Sequence, residues 1–345
     1  MSGPLGTSGP LGSSEVNDSE VPASEVNDSE APASEVNASA GPARIAAAPI
    51  SWGVCEVPGW GHQLDRERVL GEMRALGLTA TELGPDGFLP PSPEHRRTLL
   101  DSYGLQGIGG FVPVLLHDPA YDPVPEARAT LRAFAEGDVG TVVLAAATGT
   151  DGYDERPVLD AEGWKTLLAN LGRLLEEAKE FGRALTLHPH VGTMIETREE
   201  VDRVLDGSGT PLCLDTGHLL IGGTDPLDLV SRAAARVAHV HLKDVDATLA
   251  EQVRAGKLTY TDAVRAGIYR PLGRGDVDVA GIVTRLGAAH YQGWYVMEQD
   301  VVLDGEPPEG EGPEAAVRES LAYLSGLAHP GPEARPGYGP PDGRP

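Results

Sequence analysis

The chain has 345 residues, 40% of them hydrophobic, which is room for one barrel-sized domain with tails rather than for a small module. Its net charge of −25 and pI near 4.7 argue against a nucleic-acid or anionic-membrane surface. Two cysteines, Cys55 and Cys213, do not make a disulfide framework, so a reducing cytoplasm is the expected compartment. No apolar run reaches the roughly 18 residues of a membrane helix, and no basic-then-apolar segment predicts a secretory signal.

Residues 1–43 are low complexity: SEVNDSEVPA, SEVNDSEAPA and SEVNASAGPA follow one another in tandem. Acidic side chains without basic or aromatic ones cannot bury enough apolar surface to offset ordering entropy, so this segment is predicted to be disordered. The Pro/Gly-rich stretch 329–345 reads as a second disordered tail. Residues 44–328 are left as the catalytic domain.

Within that domain strand and helix patterns alternate. A strand over 45–52 ends in PISWG, and a helix follows over 65–76 with Asp65 as its N-cap. The short strand 80–83 brings Glu82 to its end. Helix 92–103, strand 105–116, helix 126–136 and strand 141–147 come next. The longest helical pattern is 161–181. Strand 184–190 precedes a helix from 197 to 207. A strand ending at Asp215 precedes helix 226–236, and strand 237–243 follows. An insertion over 244–276 holds two helix-like pieces and is far longer than the usual βα loop; loops of that length are often functional. Helix 279–289, strand 294–298 and a helix near 314–327 complete eight βα units. The fold class is α/β, a (β/α)8 TIM barrel.

Four of the strands end in metal-binding residue types: ALTLHPH, PLCLD with TGH, VAHVHLKD and WYVME. In a parallel barrel such ends gather at one mouth. Side chains alternate along a strand, so His188 and His190 share a face, as do His239 and His241, and Val296 and Glu298. His190, Asp215, His241 and Glu298 can therefore all point into the mouth. Two carboxylates with two or three imidazoles suit Mn²⁺, Co²⁺ or Zn²⁺ better than Ca²⁺. Taken singly, a strand-end acid is more often a helix N-cap and a histidine more often a bonded core residue; repetition at strand after strand favours a joint site. His239, one pleat deeper, is read as a core histidine.

LDTGH, HVHLKD, GRGDVDV and YVMEQD resemble the xylose-isomerase-like barrel superfamily. APISWGVCEVPGWG, TELGPDGFLP, HPHVGTMIET and LDTGHLLIGG are similar to the inosose dehydratase family, and the resemblance spans about 45–328. It implies metal ligands at His188, Asp215, His241 and Glu298. His188 departs from the superfamily, where most members have Glu, and Glu196 is its competitor. His218 completes a D-x-x-H pattern and is expected to face substrate.

The resemblance further implies a carbon–oxygen lyase of inositol catabolism that removes water from 2-keto-myo-inositol (scyllo-inosose), giving a trihydroxycyclohexane-dione. Its cofactor is a divalent metal, Mn²⁺ or Co²⁺, with glutathione as an accessory that no motif here marks. Such chemistry needs a Lewis acid at the ketone, a base for the adjacent C–H and an acid for the departing hydroxyl. Glu82, His190, His218 and Lys243 are the candidates. Trp52 is assigned either to an apolar wall against the ring or to core packing. The GRG loop at 273–275 is expected to close on the site and bring Arg274 to substrate. The expected partner is a small polyol ketone, with no nucleic acid and no membrane; a homo-oligomer is left open. The competing readings are a sugar isomerase or epimerase on the same barrel and a non-catalytic sugar-binding barrel.

Overall fold

The computed structural model describes residues 44–150 and 152–327, so the predicted tails at 1–43 and 329–345 lie outside the described residues. In chain order the strands are β1 (Ile45–Ala47), β2 (Ala80–Glu82), β3 (Gln106–Leu115), β4 (Thr141–Ala147), β5 (Ala184–Leu187), β6 (Leu212–Asp215), β7 (Val237–Leu242), β8 (Asp244–Val245), β9 (Tyr269–Arg270) and β10 (Tyr295–Met297). Eight of them close a parallel barrel in the order β1-β10-β7-β6-β5-β4-β3-β2. The helices are α1 (Arg66–Ala75), α2 (Pro93–Ser102), α3 (Val124–Glu136), α4 (Ala161–Glu180), α5 (Arg198–Gly207), α6 (Thr216–Ile221), α7 (Pro226–Ala233), α8 (Ala247–Arg254), α9 (Tyr260–Arg265), α10 (Val279–Ala288) and α11 (Pro313–Leu327). Among the described residues no helix is long and apolar enough to cross a membrane.

The helices form where apolar positions recur every three or four residues, and in most of them a side chain caps the first turn. In α4, Trp164, Leu167, Leu171, Leu174 and Ala178 are buried along one stripe, and Asp160 Oδ1 accepts the Gly163 N–H at 2.8 Å. Each large apolar side chain so buried contributes about 1.5–3 kcal/mol. α5 opens with a capping box: Thr197 accepts from Glu200 N–H, and the Glu200 carboxylate accepts from Thr197 N–H. Asp65 does flank α1, but its side chain makes no capping hydrogen bond.

The barrel's interior is filled below the mouth by small and branched side chains, Ala46, Ala48, Ala80, Ile108 and Val296. The larger apolar cluster lies between strands and helices. This leaves the strand ends polar above an apolar floor.

Three local readings change. The first strand stops at Ala47, and Pro49–Trp52 form a 3-10 turn, since proline has no N–H for a ladder. Strand β5 stops at Leu187, ahead of Pro189, so His188 and His190 stand just beyond it; their N–H groups are still held, by Leu144 O at 2.7 Å and Ile195 O at 2.9 Å. The insertion contains, besides α8 and α9, an antiparallel pair, β8 with β9, in which Asp244 faces Arg270 and Val245 faces Tyr269.

Candidate active site and metal centre

Asp215 is both a cap and a site residue. Its Oδ1 accepts the N–H groups of Gly217 (2.9 Å) and His218 (2.8 Å), starting α6. Its Oδ2 lies 3.2 Å from His188 Nε2, 3.5 Å from His241 Nδ1 and 3.6 Å from Lys243 Nζ. Gly217 is required beside it: a Cβ there would meet Lys243 Cβ at 2.6 Å. Glu298 reaches the same point from β10, with Oε2 3.1 Å from His241 Nδ1. Asp215, His241 and Glu298 thus hold donor atoms within 4.8 Å of one another, as do His188, Asp215 and His218.

The chemistry of this donor set fits a divalent cation. All four residues named by the resemblance are buried. His188 Nδ1 has no hydrogen-bond partner among the described residues, and His241 Nδ1 faces the carboxylates of Glu298 and Asp215 at 3.1 and 3.5 Å. Burial opposes the carboxylate forms of Asp215 and Glu298, yet Lys243 and the neighbouring histidines outweigh it and hold both below the usual carboxylate range. Burial likewise opposes a charged His241, but Cys213, Glu298 and Glu82 outweigh it and raise its pKa well above that of an ordinary histidine. The site therefore favours positive charge at the place where a divalent ion would sit.

Glu82 supports this group from β2. Its Oε1 accepts from His239 Nε2 at 2.7 Å and from His241 Nε2 at 2.8 Å. The bond to Nε2 holds a proton there, so that when the charged His241 exchanges its Nδ1 proton for a cation the lone pair exposed is the one facing Asp215 and Glu298. The two imidazoles outweigh burial and keep Glu82 ionised. His239 is buried as expected, but it belongs to the floor of the site through Glu82 rather than to an inert core.

Above this floor lie three more basic groups. His190 donates Nδ1–H to Val191 O at 2.7 Å, so Nε2 carries the lone pair of a ring that lines the cavity. Burial, with His188 and Lys243 nearby, depresses its pKa well below the ordinary value. His190 and His218 stack with centroids 3.7 Å apart. Lys243 Nζ donates to His218 Nε2 at 3.0 Å and to Asp300 Oδ1 at 2.7 Å, and lies 3.1 Å from Glu298 Oε2. Burial opposes the ammonium, but Asp215, Asp300 and Glu298 outweigh it and hold its pKa well above the usual value.

The cavity over this set measures about 640 Å³ and is lined by Glu82, His188, His190, His241, Lys243 and Glu298, with Trp60, Phe111 and Tyr153 among its walls. One expectation is corrected here, that for Arg274, and two open alternatives are resolved, at Trp52 and at Glu196. Trp52 does not form the apolar wall: it is fully buried in the core, and its indole N–H donates to Glu72 Oε2 at 2.7 Å. Trp60 lines the cavity instead. Arg274 does not reach the mouth; its side chain is exposed and pairs with Glu319 of α11. The loop bearing it is pinned by Asp244, whose Oδ2 accepts from Gly273 N–H and Gly275 N–H, and that turns Arg274 outward. Glu196 is not brought to the metal-spaced group. It accepts from Gly192 N–H at 2.8 Å and lies 3.1 Å from Arg156 Nε. Gly192 has φ +75°, and a Cβ there would meet the Tyr153 backbone at 2.4 Å, so this turn admits no other residue without moving Tyr153. Asp300, Trp60 and Tyr260 were missed from sequence; only Asp300 left a trace, in the alternation that runs from Glu298 through YVMEQD.

The family model for the xylose isomerase-like TIM barrel matches residues 70–327. An inosose dehydratase of Geobacillus kaustophilus is 33% identical over 302 residues, covering 83% of this chain and 95% of that protein. The rhizopine catabolism protein MocC of Rhizobium meliloti is 35% identical over 266 residues, 74% of this chain and 81% of that protein. Among solved structures, the IOLI protein with a zinc atom superimposes with a TM-score of 0.60 at 14% identity, covering 83% of this chain and 99% of that one.

Proposed function

Because the chain belongs to the xylose isomerase-like TIM barrel family, and within it to the inosose dehydratases, we propose that it removes one water from 2-keto-myo-inositol (scyllo-inosose), giving a trihydroxycyclohexane-1,2-dione in inositol catabolism. The observation that carries the reading is the convergence of Asp215, His241 and Glu298 under a cavity walled by His190 and Lys243. His188, Asp215, His241 and Glu298 would hold the metal, and the mix of oxygen and nitrogen donors suits Mn²⁺ or Co²⁺. Bound there, the ion would supply Lewis acidity to the ketone oxygen and so make the adjacent C–H more acidic.

The chain's own residues divide the proton work. His190 is the base: its tautomer is fixed by Val191 O, and its depressed pKa keeps Nε2 unprotonated at neutral pH. It takes the proton from the carbon next to the ketone. Lys243, which lines the cavity and is held by His218 Nε2, carries the other mobile proton, and its ammonium protonates the β-hydroxyl as that group leaves. One C–H and one C–O bond break, water departs, and the remaining enol becomes the dione. Glu82 orients His241 and keeps its proton on Nε2. Trp60 and Phe111 supply apolar surface for the ring's C–H edges. Both cysteines are free, which fits a reducing cytoplasm.

The test is incubation of Mn²⁺- or Co²⁺-loaded protein with scyllo-inosose, with and without glutathione, followed by mass analysis. Loss of one water supports the lyase. A product of unchanged mass would make the chain an isomerase or epimerase, and binding without turnover would make it a sugar-binding barrel.

A further inference from the structure

The insertion between β7 and α10 reaches the active site through two phenols, Tyr260 and Tyr269, and the first of them is hydrogen-bonded to Asp300. Asp300 lies two residues beyond Glu298 and is 7% exposed. Its Oδ1 accepts from Lys243 Nζ at 2.7 Å, and its Oδ2 accepts from the Tyr260 hydroxyl at 2.7 Å. Tyr260 opens α9, and its hydroxyl is 2.9 Å from that of Tyr269 on β9. The Tyr269 ring lies under the ammonium, with Lys243 Nζ 5.1 Å from its centroid.

We propose that Asp300 is a positioning residue for the reaction: clamped by Tyr260 of the insertion, it fixes the Lys243 ammonium beside His218. Lysine is a charge on a flexible four-carbon stem, and it settles where its acceptors place it. Two of the carboxylates near Nζ, those of Asp215 (3.6 Å) and Glu298 (3.1 Å), belong to the metal-spaced group. An ammonium drawn fully onto them would compete with a cation for the same oxygens. The shortest contact, to Asp300, comes from outside that group and is the one reinforced by a phenol. Independent packing points the same way. Gly217 leaves the space in which Lys243 and Tyr269 lie against α6, since a Cβ there would meet both side chains.

The insertion is built as a fixed part rather than a loose lid. Val245, Ala250, Ala263, Val264 and Ile268 bury together against Trp60 and Val191. That cluster carries Tyr260 to Asp300 and explains why so long a segment follows β7.

The kinetic arm of the test rests on the dehydratase reading; a spectroscopic arm does not. Asp300→Asn keeps the shape and removes the charge, and Tyr260→Phe removes only the hydroxyl. Each is expected to lower kcat about 10- to 100-fold, the range typical of residues that orient a working group, with KM within threefold and metal content unchanged. In a Lys243→Met background, Asp300→Asn should cost nothing more, because residues acting through one group are not additive. Independent, multiplying losses would overturn the proposal, as would loss of metal in Asp300→Asn. NMR of protein labelled with ¹⁵N-lysine should show a slowly exchanging Lys243 ammonium that broadens or vanishes in both variants. An unchanged resonance in both overturns the proposal whatever the substrate proves to be. If the wild type turns over no inosose but its ammonium signal depends on Asp300, only the dehydratase reading falls.

Discussion

Replacing Glu82 with glutamine tests how the metal centre is held. Two imidazole N–H groups converge on Glu82 Oε1, at 2.7 and 2.8 Å. Hydrogen bonds to a charged group are worth about 1.5–3 kcal/mol and neutral ones roughly half of that. Glutamine keeps an oxygen in nearly the same position, so what is lost is the charge-assisted part. For the His241 bond that is about 1–1.5 kcal/mol, or about a tenfold loss of metal affinity at 1.4 kcal/mol per decade. Outer partners of ligating histidines generally cost about 10–100-fold when removed, so this conservative change falls at the lower edge of that range. Calorimetric titration of Mn²⁺ into metal-stripped protein, with a competing chelator, measures it. Affinity within twofold of wild type would refute the orienting role. Lost turnover at full metal occupancy and unchanged affinity would instead make Glu82 the base and displace His190.

The ligand set gives the next prediction. Asp215→Ala, His241→Ala and Glu298→Ala should each lose metal and turnover together while keeping the barrel's circular dichroism. At the fourth position His188→Ala should lose metal and Glu196→Ala should keep it, measured by elemental analysis; the reverse pattern would restore Glu196. Trp52→Phe should destabilise by about 1–3 kcal/mol in chemical unfolding, since it deletes a buried donor to Glu72, with KM unchanged. Trp60→Ala should raise KM instead, and equal KM effects for the two would contradict their placement. Deleting residues 1–43 should leave kcat and Tm nearly unchanged, because nothing in the repeats is patterned for a core; a large loss in either would show that they dock.

Much of this architecture is legible because it is periodic. Eight strand-like runs alternate with helical ones, and the acid and imidazole residues recur at the ends of successive runs, so a parallel barrel follows from spacing alone. The period of two also placed His239 with His241 correctly, since both reach Glu82. What it could not supply was chain ends and partners. Trp52 and Trp60 stand eight residues apart in one motif, and nothing in the motif says which meets Glu72 and which meets the cavity. The glycines beside Arg274 suggest a loop that closes on the site, but they serve the Asp244 carboxylate, and the side chain between them turns to Glu319.

The choice between a cap and a ligand at Asp215 was a false alternative, and the reason is geometric. A carboxylate has two oxygens, and a helix that begins directly after a strand needs only one of them. Oδ1 takes the two free N–H groups of α6, and that fixes the plane in which Oδ2 must lie. Oδ2 is thereby held among His188, His241 and Lys243 without spending any rotamer freedom of its own. The capping bonds that make Asp215 look structural are what preorganise it to bind. The same logic extends to the insertion: its buried cluster looks like ordinary core, yet it delivers the Tyr260 hydroxyl to Asp300 and the Tyr269 ring to Lys243. In this barrel local structural roles and site geometry are carried by the same atoms, which is why residue type and position point to the site while only the folded arrangement assigns the roles within it.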